Sequence, residues 1–330
     1  MIGTCPIKKW KLTHGFLKID KKNKLPIFIA KWVEEGKTCF VSWGMHGDEI
    51  NGPRLVQMLM HSIDPKKLKG TIIFAPVLNV SGFHHKQRYV FEDNKDLNRC
   101  FFGRGKTMAY KIAHAVYENI MKKSDLGIDC HDAGESTVLL PQPRVHVNEK
   151  KVCTDGCTVN MGKLLWTKII LQRKGEPGMM AVESFKRLKR PVLTVEVGGG
   201  MMLWDEFLDT ALQWVKNILM YSGMLDGKIS SVKEQFVIND VDRFWYQAKH
   251  EGLLYTHAYL WQEVHKWDLI AEIYDPLTDT LKPVLAKHCG FVFSVKAQEK
   301  VDVWEHMLSI LQHKECRKHG TKVSKYTKKI

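Results

Sequence analysis

The residues best suited to chemistry in this sequence fall at three places, each at or just past the end of an apolar run. The segment G-M-H-G-D-E carries His46 and Glu49. An imidazole and a carboxylate three residues apart, in a turn leading into a helix, can both face one ion. The segment D-C-H carries Asp129 and His131. Side chains two apart in a strand point to the same face. His131 can therefore be a third ligand, with Asp129 orienting its ring from behind; a buried, hydrogen-bonded histidine is the plainer alternative. The segment T-V-E-V-G-G-G puts Glu196 in an otherwise apolar run, where an unpaired carboxylate is costly. A structural ion pair and a catalytic task account for it equally, and the glycines beyond it let backbone and ligand approach closely.

Two histidines and one carboxylate around zinc, with a position left for water, form a recurring hydrolytic arrangement. Zinc brings the pKa of its water to ~7. A separate carboxylate must then take the water's proton and pass it to the leaving nitrogen. The sequence offers His46, Glu49 and His131 for the metal and Glu196 for the proton. Between the first two places lies R-Y-V-F-E-D-N-K-D-L-N-R-C-F, from Arg88 to Phe101, poor in helix or strand signals and rich in hydrogen-bonding side chains. Arginine grips carboxylates through two parallel hydrogen bonds. Arg88 and Arg99 thus suggest an anionic substrate or a developing oxyanion, against the alternative of a solvated charged loop.

The elements that must carry these groups alternate. Thr38 to Gly44, Thr71 to Val77, Leu126 to Cys130 and Val192 to Val197 read as core strands. Leu55, Met58, Leu59 and Ile63 recur at helical spacing, as do Met108, Ile112, Val116 and Ile120, and Phe207 to Met220 reads as another helix. The alternation implies an α/β domain, a mixed and mostly parallel sheet with helices on both faces, spanning 1–235. Open sheets of this kind gather ligands at the carboxyl ends of their strands, so the three places can converge. After Gln235 shorter β-like segments appear, including Asp268 to Tyr274 and Gly290 to Val295, and 236–312 reads as a small all-β domain ending in a helix from Val301 to Leu311.

Composition sets the outer limits. With 330 residues and 44% hydrophobic content the chain can bury a sizeable core. No run approaches the ~20 apolar residues of a membrane-spanning helix, and lysines interrupt the opening residues, so no secretory signal is read and a cytoplasmic location is expected. Eight scattered cysteines do not make a disulfide framework. The close pair Cys153 and Cys157 reads as reduced loop thiols. Of the net charge of +14, the segment from Lys314 to Ile330 holds seven Lys or Arg against one Glu, or +6, which leaves +8 elsewhere. Residues 313–330 therefore read as a disordered basic tail. Nucleic acid and membrane are not the expected partners; self-association stays open.

Taken together, G-x-H-G-D-E-x-N-G, then R-Y through D-L-N-R-x-F, then D-x-H-D-x-G, then L-T-V-E-x-G-G-G resemble the succinylglutamate desuccinylase and aspartoacylase family, a branch of the zinc carboxypeptidase fold. The likeness runs through roughly residues 35 to 205. It implies hydrolysis of a small N-acyl amino acid or related N-acyl amine, with one Zn2+ per chain on His46, Glu49 and His131 and Glu196 as general base and acid. It implies that Arg88 polarises the scissile carbonyl, that Asn98 and Arg99 hold the leaving amino acid's carboxylate, and that Arg144 in L-L-P-Q-P-R-V reaches the substrate. It also implies that the C-terminal β domain caps the site. A carboxypeptidase-type peptidase, and a non-catalytic relative binding an anionic partner through its basic surface, are the alternatives.

Overall fold

The chain opens with a hairpin, Lys11–Lys18 (β1) and Lys24–Lys31 (β2), antiparallel from Lys11 opposite Lys31 to Lys18 opposite Lys24. Alternating buried and exposed side chains suit this place at the border of a sheet. In the computed structural model, residues 1–31, 36–147, 156–165, 167–229, 235–312 and 328–329 are described. Thr38–Ser42 (β3) leads through the His46 turn into helix Asn51–Ser62 (α1), followed by Thr71–Ala75 (β4) and the short helix Val80–His84 (α2). Helix Met108–Asn119 (α3) precedes Leu126–His131 (β5) and Thr137–Val147 (β6). Then come Gly156–Lys163 (α4), Ile169–Lys174 (β7), Met180–Leu188 (α5), Val192–Gly199 (β8) and Asp205–Tyr221 (α6).

The four strands predicted to form the centre do so, in the order β4-β3-β5-β8, all parallel. Every residue of β4, β5 and β8 is buried, as expected of parallel strands covered on both faces. One face carries α1 and α6, whose Leu55, Leu59, Trp214 and Ile218 share a core with Val41, Ile128 and Val195. The other carries α3 and the start of α5, where Ile112, Val116 and Met180 meet Phe40 and Ile73. Burying each such side chain contributes roughly 1.5–3 kcal/mol, so this two-sided core fixes where the strands end. Among the described residues, no helix is long and apolar enough to cross a membrane.

The sheet continues beyond β8 through β6, which runs antiparallel to it, and there it branches. Arg144–Val147 of β6 pair in parallel with β7, which pairs in turn with Phe236–Asn239 (β9). The other end of β6 joins the strand-rich C-terminal region, made of Arg243–Gln247 (β10), Gly252–Thr256 (β11), Glu263–Val264 (β12), Leu269–Asp275 (β13), Thr280–Leu285 (β14), Gly290–Lys296 (β15), Lys300–Val301 (β16) and His306–Leu311 (β17). Thr137–Leu139 of β6 lie opposite Ser294–Lys296 of β15, so β15, β17 and β10 extend the main sheet. A second sheet, β14-β13-β11-β16, packs beside them around Ile270, Ile273 and Leu308.

The helix expected from Val301 to Leu311 is instead the two strands β16 and β17. Five of the six residues of β17 are buried between β15 and β10. A short apolar run buried on both faces carries no periodicity that separates strand from helix. Of the basic tail, only Lys328–Lys329 is described, as a short strand beside β9; the rest lies outside the described residues. Cys153 and the side chain of Cys157 lie outside them as well. Cys5, Cys39, Cys100, Cys130 and Cys289 are buried free thiols.

Candidate active site

The His46 turn is shaped by two close approaches. A side chain at Gly47 would strike the backbone of Gly82, at 1.9 Å from its carbonyl carbon, and one at Gly52 would strike the Trp43 indole at 1.4 Å. Only glycine lets the turn lie against α2 and lets α1 start on the face of that buried ring. Asn51 ties the helix start in place: its side chain donates to Asp132 (3.0 Å) and to the Met202 carbonyl (3.0 Å), and accepts from the Trp204 amide (3.1 Å). His46 and Glu49 thus come from the end of β3, His131 from the end of β5, and Glu196 from β8, where it sits in register beside His131.

His46, Glu49 and His131 are all buried, and one potential ligand atom from each lies within 4.8 Å of the others. Glu49 stands between the rings, its Oε1 2.5 Å from His46 Nδ1 and its Oε2 2.9 Å from His131 Nδ1. The opposite nitrogens are each met by a carboxylate. His46 Nε2 lies 3.1 Å from Asp96 Oδ1, and His131 Nε2 lies 3.1 Å from Asp129 Oδ2. Asp129 is itself fixed by the Ser42 hydroxyl at 2.9 Å. This places Asp129 where the strand alternation put it.

The electrostatics of the cluster ask for positive charge at its centre. Burial works against a charge on either ring, yet Glu49, with Asp96 on His46 and Asp129 on His131, outweighs it and raises both imidazoles above their ordinary range. Burial likewise opposes ionisation of Glu49, and the two rings overcome it, holding the carboxyl well below the usual range. A divalent cation among these donors would substitute for the two ring protons. The outer carboxylates would hold the far nitrogens protonated and leave each Nδ1 lone pair facing inward, the usual support of a metal-bound histidine. The donor set, two imidazoles and a carboxylate, suits zinc.

These groups line a cavity of roughly 360 Å3 together with Arg88, Asn98, Arg99, Arg144 and Glu196. The structure therefore gathers every residue singled out in the sequence except Asp129, which lies behind His131. Arg88 reaches Asp96 with Nη2 (3.2 Å) and approaches Glu49 (3.9 Å). Arg99 is held by Glu176 (2.8 Å) and by the Asn98 carbonyl (2.9 Å). The Asn98 side-chain oxygen accepts from the Met180 amide at 2.8 Å. Arg144, with its side chain 12% exposed, places Nη1 2.6 Å from Glu196 Oε1.

Sequence reasoning gave no role to Asp96, although it opens D-L-N-R. Asp96 gathers His46, Arg88, Arg99 and the Asn98 amide (2.8 Å) around one carboxyl group. Burial is overcome there by His46 and the two arginines, and its carboxyl is held well below the usual range. Its place before L-N-R, in a loop already dense in charge, was the available signal. Arg173, Asp240, Arg243 and Trp245 also line the cavity. They come from β7 and from the chain after residue 235, and nothing local in the sequence links them to the metal ligands.

Over 286 residues the chain is 25% identical to the N-alpha-acetyl-L-2,4-diaminobutyric acid deacetylase of Halomonas elongata, with 82% of each chain covered. A succinylglutamate desuccinylase from Silicibacter sp. TM1040 superposes with a TM-score of 0.80 at 23% identity, covering 94% of this chain and 98% of that one. The product-bound ectoine utilization protein EutE (DoeB) of Ruegeria pomeroyi does so with a TM-score of 0.80 at 22% identity, covering 93% and 97%. These two structures establish a shared fold that extends through the C-terminal strands. Residues 35–222, more than half of the chain, match the succinylglutamate desuccinylase/aspartoacylase catalytic domain, and the chain belongs to that family.

Proposed function

We propose that the chain hydrolyses the amide bond of a small N-acyl amino acid, using one zinc ion held by His46, Glu49 and His131. The observation that carries this reading is the convergence of three buried donors, both rings braced by carboxylates, in a cavity that Glu196 and Arg88 also line. When bound, the ion supplies a Lewis acid that makes water more acidic and draws charge from a carbonyl oxygen.

The chain's own residues do the rest. Glu196 takes the proton from the attacking water and hands it to the departing nitrogen. Arg88, braced by Asp96, donates to the negative charge that builds on the carbonyl oxygen. The Asn98 side-chain oxygen is engaged by Met180, so its amide nitrogen is the end that donates to a carboxylate. Arg99, steadied by Glu176, completes that clamp for the leaving amino acid. Arg144 steadies Glu196 and borders the substrate space. A cavity of roughly 360 Å3 is the size of a small-molecule site, which favours an N-acyl amino acid over a long peptide. The deacetylase name of the Halomonas relative supports the same bond.

The test is a screen of zinc-loaded protein against N-acetyl, N-succinyl and N-formyl amino acids, with N-α-acetyl-2,4-diaminobutyrate among them, reading released amine. Turnover of at least one, abolished by a chelator and restored by zinc, is expected. No amine from any of them, with zinc, manganese or cobalt supplied, would overturn the reading.

A further inference from the structure

The strand-rich C-terminal region holds a second cavity, of roughly 390 Å3, between the border strands of its two sheets, β10 and β14. That is the size of a small-molecule site. Lys249, Lys282 and Lys287 line it, and among the described residues no Asp, Glu or Arg does. None of these lysines has a carboxylate within ion-pair distance among the described residues, and Lys282 feels Asp275 only at longer range. Nearby, Lys296 and Lys300 do have partners, Glu305 at 3.1 Å and Asp302 at 3.9 Å. The cleft thus combines three ammonium groups without counter-ions and the flat rings of Trp245 and Trp304.

Both walls are fixed by the fold. The Tyr246 hydroxyl accepts from the Lys287 and His288 amides at 2.7 and 3.0 Å, which ties the turn after β14 to β10. His288 also stacks on Phe244, with ring centres 3.7 Å apart. On the opposite lip, Trp304 takes a left-handed backbone with φ of +71°, uncommon for a bulky residue. Its amide donates to the Ala248 carbonyl at 2.8 Å, and its carbonyl accepts from the Gln247 side chain at 3.0 Å. Those bonds set the backbone, yet the Trp304 side chain is left 72% exposed, so the core of the fold does not use the indole. Strain of this kind persists where the surroundings enforce it, and it gathers at ligand sites.

We propose that this cleft binds a nucleoside phosphate, with the base stacked on Trp304 and the phosphates met by the three lysines. Stacking on an indole accepts any base. Lysine offers a point charge suited to phosphate oxygens, whereas the arginine fork matches a carboxylate. The metal cavity is lined by arginines and this cleft by lysines, so the two fit different anions. Trp245 stands on the border and lines both. A ligand must therefore be traced to this cleft by residues that belong to it alone, and Trp304 and Lys287 are such residues.

Titration calorimetry on the full chain, loaded with zinc, compares ADP with adenosine and with pyrophosphate. ADP should bind at least ~10-fold more tightly than adenosine, which lacks the charge, and than pyrophosphate, which lacks the ring. Trp304→Gly removes the ring and suits the left-handed backbone. It should keep its fold and bring ADP down to the level of pyrophosphate. Lys287→Gln, a change of one side-chain charge, should weaken ADP at least ~3-fold and leave adenosine unchanged. ADP binding that both variants retain in full would belong to the metal cavity or the basic tail, and would overturn the proposal. Equal affinity for ADP and pyrophosphate, or no binding of ADP at millimolar concentration, would overturn it as well.

Discussion

Nη1 of Arg144 stands 2.6 Å from Oε1 of Glu196, and both side chains are largely shielded from solvent. The pairing answers half of the question posed by a carboxylate in an apolar strand: Glu196 is not alone, and its partner lies on the same cavity wall. Glu196 also sits beside His131 across the β5–β8 pairing, so it faces the space next to the three donors. Glu196→Gln keeps the shape and removes the proton acceptor. It should retain zinc and lose at least ~100-fold in kcat, the scale of a missing general base. Near-normal turnover by the zinc-replete variant would make Glu196 a structural residue.

Asp96 offers a separate test of the metal centre, because it touches His46 without offering an atom to the donor cluster. Metal analysis of the wild type should give about one zinc per chain. Asp96→Asn removes the charge that orients the far side of the ring and should weaken zinc affinity ~10–100-fold, the range seen when such supports are lost. Competition against a chromophoric chelator reads this directly. Unchanged affinity would mean that His46 is held well enough by Glu49 and packing alone.

How legible all this was follows from locality. The central strands and the groups at their ends stood out because apolar runs and chemical motifs coincide within a few residues, as at β3 with His46 and β5 with His131. The family resemblance read from those motifs agrees with the match over 35–222. Strand β6 was not recognised because Pro141 and Pro143 argue against a strand inside a sheet. The register shift between Leu139 and Gln142 spans Pro141, while Pro143 lies opposite Val195 where the pairing with β8 resumes. The helix assigned to 301–311 failed because burial on both faces erases periodicity. Arg243 and Trp245 were invisible for a different reason: β6–β15 pairing, a long-range event, is what carries them towards the site.

His146, on β6 two residues beyond Arg144, supplies a pH test. Burial first, then the charges of Arg144 and Arg173, push its pKa down to about 3. The folded state therefore holds it neutral, whereas the unfolded chain protonates it near 6.5. Above pH 6.5 this imposes no penalty. As pH falls from 6.5 towards 3, the unfolded state binds the extra proton and folding loses stability progressively, by an amount on the order of a few kcal/mol at most. Urea unfolding of His146→Gln, compared with wild type at pH 7 and pH 4.5, should show a smaller loss in the variant. Identical losses would show that the ring takes up its proton without unfolding.

Under the proposed mechanism, the arginines divide their labour according to what fixes them. Arg88 is anchored by Asp96 and approaches Glu49 within the donor cluster, so it is positioned for charge that appears only as the carbonyl is attacked. Arg99 is held by Glu176 and the Asn98 carbonyl, and the carboxylate assigned to it stays charged throughout the reaction. An interaction equal in ground and transition states supports binding without raising turnover. Arg88→Ala should therefore depress kcat strongly, while Arg99→Ala should chiefly raise KM. Lysine at position 99 should rescue poorly. Arg99 lines the cavity while spending Nε on Glu176 and Nη1 on the Asn98 carbonyl, and an ammonium cannot divide itself in that way. Steady-state kinetics on one good substrate decide the matter. If Arg88 governs KM and Arg99 governs kcat, the substrate lies in the cavity in the reverse direction, with its leaving carboxylate at Arg88.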